Sequence, residues 1–127
     1  MKLIPIPAEP EDAETRVVFE RIAASRGWIS NAMRALSASP EGLKVFSAAG
    51  HYARYGTALT EVQRELAILI VARGVPYAWA HHAPLGLQAG ISQAQLDAIK
   101  AGMTPGDLDP ANRALCDYVF AFLAGKG

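Results

Sequence analysis

The stretch TEVQRELAILIVARG, residues 60–74, decides how this chain folds. Thr60 with Gln63 three residues later is a capping box: the threonine oxygen accepts from the third helical amide while the glutamine reaches back to the amide of the cap. The run from Leu66 to Ala72 is apolar on every helical face, so the helix this box opens, to about Arg73, belongs at the centre of the structure. The next segment, PYAWAHHAPLGLQAG at 76–90, predicts a second helix over about 77–89. Gly90 is suited to the left-handed position that closes it. So short a connection sets two successive helices side by side.

Working outward, the same signals recur. Val17, Val18, Ile22 and Ala24 recur near helical spacing and predict a first helix over about 13–25, with Gly27 as its stop. Ile29, Met33 and Leu36 share one face of a short helix over 29–37. Ser39 before Pro40 starts a helix running to about Tyr55, whose inner face would carry Leu43, Phe46 and Gly50. SQAQ, Ser92 to Gln95, is a second capping box. Asp109 before Pro110 opens a last helix, with Leu115, Val119, Phe122 and Leu123 at helical intervals. No stretch alternates with period two long enough to demand a strand. The expected class is all-α. The proline-rich, acidic residues 1–12 read as an extended N-terminal arm, and 13–127 as a single helical domain.

The bulk properties narrow the function classes. A chain of 127 residues has the length of one domain. Its twelve basic and twelve acidic residues cancel, so no positive field favours nucleic acid or an anionic membrane. Hydrophobic residues make up 51% of the chain, an apolar balance that suits burial against further copies of itself. Cys116 has no internal partner for a disulfide, which fits a reducing cytoplasm. The N-terminus lacks the apolar run of a signal peptide, and LAILIVA at 66–72 is far too short to span a bilayer. A cytoplasmic protein without membrane or nucleic-acid partners is expected.

Few residues offer chemistry. Glu65 sits at the edge of the apolar run, where burial would favour its neutral form and a nearby imidazolium or Arg64 its charged form. By pattern alone it reads as a glutamate that favours the helix dipole and pairs with a surface cation. His82 lies mid-helix beside Ala78, Leu85 and Gly86, and His81 points about 100° away around the same helix. Each reads either as a hydrogen-bonded core or interface residue or, titrating near neutrality, as a proton carrier. Pro84 deprives the Ala80 carbonyl of its helical partner and invites a kink. Tyr77 and Trp79 read first as core or interface aromatics. His51, His81 and His82 lack metal-ligand spacing, so no metal site is expected. Cys116, beside Leu115 and Val119, reads as a small buried hydrophobe.

Taken together, LTEVQRELAILIVARG (59–74), YAWAHHAPLGLQAGIS (77–92) and QLDAIKAG (95–102) resemble the carboxymuconolactone decarboxylase family, which includes the alkyl hydroperoxidase D-like proteins. The matching features are Arg64 with Glu65, the Tyr77, Trp79 and His82 pattern, and Gly90. The resemblance implies an alkyl hydroperoxidase D-like helical fold with a central antiparallel helical hairpin, assembled as a trimer or hexamer. In the peroxidase branch a Cys-x-x-Cys pair does disulfide chemistry, served by a glutamate and a histidine that relay protons. Aligned on His82 and Gly90, the two cysteine positions fall on Val75 and Ala78, so cysteine-based peroxidase activity is not expected. The decarboxylase-like branch usually carries glutamate four residues before the histidine, where this chain has Ala78.

The function implied is cofactor-free proton transfer, a decarboxylation or lactone processing of a small organic acid by a lyase-type enzyme. Glu65 and His82 would be catalytic, with Tyr77, Trp79, His81 and Arg64 binding substrate and no metal taking part. The alternative is a non-catalytic helical homo-oligomer that keeps the fold without the activity.

Overall fold

A computed structural model describes Ile6, Glu9, Pro10 and residues 12–126. The expected N-terminal arm, 1–12, therefore lies largely outside the described residues. Among those described, all regular structure is helical: seven α-helices and one π-helical turn, with no strand. The all-α expectation holds. Residue contacts divide the chain into two units, Met1–Thr57 and Ala58–Gly127.

In the first unit, α1 (Ala13–Arg26) starts at Asp12, whose carboxylate accepts the Thr15 amide at 2.7 Å. That hydrogen bond holds the Asp12 carboxyl below its ordinary pKa. The helix stops at Gly27, which takes φ 78° and returns its N–H to the Ala23 carbonyl at 2.7 Å. Helix α2 (Asn31–Leu36) begins two residues later than Ile29 because Ser30 caps it. Helix α3 (Pro40–His51) starts from Ser39 as expected, but the α-helical spacing ends at His51 and a π-helical turn, Tyr52–Gly56, completes the segment. Gly56 leaves room for the Tyr52 ring there: a Cβ would lie 2.6 Å from it, and the ring would have to shift. The core of this unit is Val18, Phe19, Ile22, Met33 and Leu43. Phe46 departs from its expected inward position: it is 55% exposed, because α3 turns Leu43 rather than Phe46 onto α1 and α2.

The second unit is built round α4 (Glu61–Ala72), which packs against all three of its neighbours, α5 (Pro76–Ala89), α6 (Gln93–Lys100) and α7 (Pro110–Leu123). Both halves of the Thr60–Gln63 capping box form, as do both halves of Ser92–Gln95. Leu66, Leu69 and Ile70 of α4 are fully buried with Ile99 and Cys116, and Ile91 and Leu96 complete the cluster. Val71, on the far side of α4, is 58% exposed, so the apolar run is not buried on every face.

Helix α5 runs through Pro84 and ends at Gly90, φ 103°. The Ile91 amide there returns to the Gly86 carbonyl at 2.9 Å, which drops the Ile91 side chain into the core. Gly86 itself is buried where α5 meets α4: a Cβ on it would lie 2.9 Å from Leu69 Cδ1. On α7 the buried position is Cys116, with Val119 and Phe120 packed beside it, whereas Phe122 and Leu123 are exposed. No helix among the described residues is long and apolar enough to cross a membrane.

Candidate functional site

Helices α4 and α5 bring together two residues that lie seventeen positions apart in sequence. His82 Nδ1 and Glu65 Oε2 are 2.9 Å apart. The placement follows from packing on each side. Glu65 precedes Leu66 at the head of the buried stripe of α4, so its side chain is carried inward and is 2% exposed. Gly86, one turn beyond His82 on the same helix, has no side chain to hold α5 away from Leu69. The resulting close approach of the two helices lets an imidazole reach a carboxylate that never leaves the interior.

The partner's ionisation sets the tautomer. When Glu65 is ionised its carboxylate only accepts hydrogen bonds, so Nδ1–H donates to Oε2 and Nε2 is the ring atom left to exchange a proton. The His82 side chain is 19% exposed, against 2% for that of Glu65. Solvent or a small molecule thus meets the imidazole before it meets the carboxylate. Such an arrangement can hold one ring orientation and move a proton at one named atom.

The other expected site residues fall at different distances from this pair. The His81 ring stands edge-on to that of His82, centroids 4.9 Å apart, so the adjacent histidines touch despite leaving the helix in different directions. Trp79, three residues before His82 and about 60° from it around α5, packs partly against the core cluster. Tyr77 is 54% exposed in the first turn of α5 and lies about 140° around the helix from His82. Arg64 turns its guanidinium back to the Leu59 carbonyl at 2.7 Å. Val75 and Ala78, the positions aligned with cysteines, are the cap residue and a half-buried residue of α5.

One residue escaped sequence reasoning. Lys100, the last residue of α6, places Nζ 4.5 Å from the centre of the Trp79 ring and donates to the Arg73 carbonyl at 2.8 Å. It satisfies the end of α4 and pins the aromatic of α5 with a single ammonium group. The available signal was its basic character in the last turn of a capped helix, which does not say what it reaches.

Cys116 is fully buried. Burial pushes its thiol up to about 11, aided by the negative charge of Asp117. A thiol held protonated in this way behaves as a small core residue. Among the described residues there is no cluster of three or more His, Cys, Asp or Glu placed to hold a metal ion. No protein-family model matches the chain, and no curated protein matches it.

Proposed function

We propose that this chain is a carboxymuconolactone decarboxylase-like enzyme that carries out cofactor-free proton transfer on a small organic acid, by decarboxylation or lactone processing. The observation that carries the reading is the 2.9 Å contact between His82 Nδ1 and the buried Glu65 carboxylate. His82 acts through Nε2 as general acid or base: it delivers a proton to the carbon that keeps the electron pair when carbon dioxide leaves, or it removes a proton from the carbon beside a carbonyl, so that the electron pair forms a double bond as the lactone C–O bond on the next carbon breaks and the oxygen departs as carboxylate. Glu65 fixes the tautomer and supports the imidazolium that forms. A positioned histidine of this kind is worth roughly 10²–10⁴-fold in rate. His81 stands edge-on to the imidazole, Trp79, Arg64 and Tyr77 complete the substrate-binding set, and the helical fold of the family assembles as a trimer or hexamer.

The test follows the proton rather than a chosen product. A panel of small carboxylic acids and lactones is incubated with the protein in D2O, and deuterium entering carbon positions, carbon dioxide release and ring opening are read by NMR. The expected result is turnover of at least one compound, lost in His82→Gln and reduced in Glu65→Gln, with both variants folded by circular dichroism. Equal turnover in His82→Gln would overturn the mechanism. If no compound reacts with the wild type but Ala78→Glu does react, the native chain is the non-catalytic oligomer that retains the fold.

A further inference from the structure

The first unit contains a cavity of about 720 Å³ between α1 and α3. Its two walls are helical stripes at spacing i, i+3, i+4 and i+7. Val18, Arg21, Ile22 and Ser25 come from α1, and Lys44, Ser47, Ala48 and His51 from α3. Several of the lining side chains, Ala24, Ser25, Ser47 and Ala48, are small and fill little of the space. One end is bounded by Tyr55, whose hydroxyl donates to the Ser25 carbonyl at 3.2 Å and whose ring lies 4.8 Å from that of His51. Near the other end Lys44 is held by Glu14 at 3.0 Å and by Glu41 at 3.9 Å.

Charge is unevenly matched within this groove. Lys44 is answered by two carboxylates, but among the described residues Arg21 and Arg26 form no ion pair. Arg26 lies over α3 where Gly50 gives it room, its Nη2 being 3.5 Å from where a Cβ would stand. Arginine forks match the two oxygens of a carboxylate, and Val18, Ile22 and Ala48 supply an apolar surface beside them. The volume lies in the range of small-molecule sites.

We propose that the α1–α3 groove binds a small amphipathic carboxylate, its head between Arg21 and Arg26 and its hydrocarbon body along Val18, Ile22 and Ala48. The site lies wholly within the first unit, uses neither Glu65 nor His82, and stands or falls separately from the proton-transfer reading.

Octanoate, octanol and inorganic phosphate serve as probes of the full chain, by isothermal titration and by amide chemical-shift mapping. Octanoate is expected to bind saturably and to shift the amides of Ser25, Ser47 and Ala48. Octanol, lacking the charge, and phosphate, lacking the body, should each bind at least about tenfold more weakly, as loss of a charge-assisted pair or of apolar contact implies. Arg21→Gln with Arg26→Gln should weaken octanoate by a similar factor. Ala48→Trp, on the groove side of α3, should block it while leaving both arginines in place. Octanol binding as well as octanoate, or octanoate binding unchanged in the double variant or in Ala48→Trp, overturns the proposal. So does a failure of octanoate to bind; where the double variant then also alters sedimentation of the free protein, the groove is a contact between copies.

Discussion

Replacing His82 by leucine tests the Glu65–His82 contact as a physical interaction, apart from any reaction. Glu65 is 1% exposed, so its carboxylate cannot recover through water what it loses when Nδ1–H is removed. A hydrogen bond to a charged group contributes about 1.5–3 kcal/mol, and stripping a partner from a buried charge costs about 3–5 kcal/mol. The leucine recovers part of this through apolar contact, which places His82→Leu at about 2–4 kcal/mol of destabilisation. Glu65→Leu should cost less, about 1–2 kcal/mol, because the partly exposed imidazole left behind can turn to solvent. With both replaced, the buried carboxylate is gone as well and much of the loss returns.

The assay is a double-mutant cycle in urea, read from midpoints at constant slope. A coupling of about 2 kcal/mol between the two positions is expected, and less than about 0.5 kcal/mol would refute the reasoning that the buried pair acts as a unit. Long-range nitrogen–proton correlation spectra give a second readout. They should show the His82 Nδ1–H tautomer in the wild type and lose it in Glu65→Leu.

Three further outcomes follow from the fold. Gly86→Ala places a Cβ 2.9 Å from a side chain that is itself fully buried; overpacking of about 1–3 kcal/mol should outweigh the gain of under about 1 kcal/mol from helix propensity, and thermal melts should fall. The Asp12 carboxyl is held below its ordinary value of 3.8 by the Thr15 amide, so its cap stabilises the folded state above that pH and is lost as pH falls through the depressed folded value. The stability difference between wild type and Asp12→Ala should therefore be flat near neutrality and shrink in acid, as measured by urea titration at stepped pH. Cys116, buried with its thiol pushed up to about 11, should resist a disulfide reagent at pH about 8 in the native protein and react at once in denaturant.

The helices were legible because their ends are written in local chemistry. Thr60–Gln63, Ser92–Gln95, Gly27 and Gly90 each act within one turn of the chain, and each does in the fold what its residue type allows. Phe46 and Phe122 were not legible, because periodicity says which residues share a face but not which neighbour that face meets. The π-helical turn at Tyr52–Gly56 depends on an aromatic ring lying over a glycine, and no spacing rule encodes that contact. At the candidate site, pattern alone makes Glu65 a boundary glutamate that favours the helix dipole and pairs with a surface cation. Only the resemblance singled it out with His82, and their approach needs the missing side chain of Gly86 on a third turn of helix. The α1–α3 groove depends on how two helices lie together, with small residues in its lining, which a reading of either helix by itself cannot reveal.

Lys100 also bears on how the second unit comes apart. Its ammonium group joins the Arg73 carbonyl that caps α4 to the Trp79 ring of α5 from the end of α6. Releasing any one of those three helix ends forfeits a contact belonging to the other two, so fraying at this corner is shared rather than local. Amide protons near Ala72, Trp79 and Ile99 should then exchange with solvent through a common opening, slow and of one free energy, and the Glu65–His82 geometry persists for as long as that opening is rare.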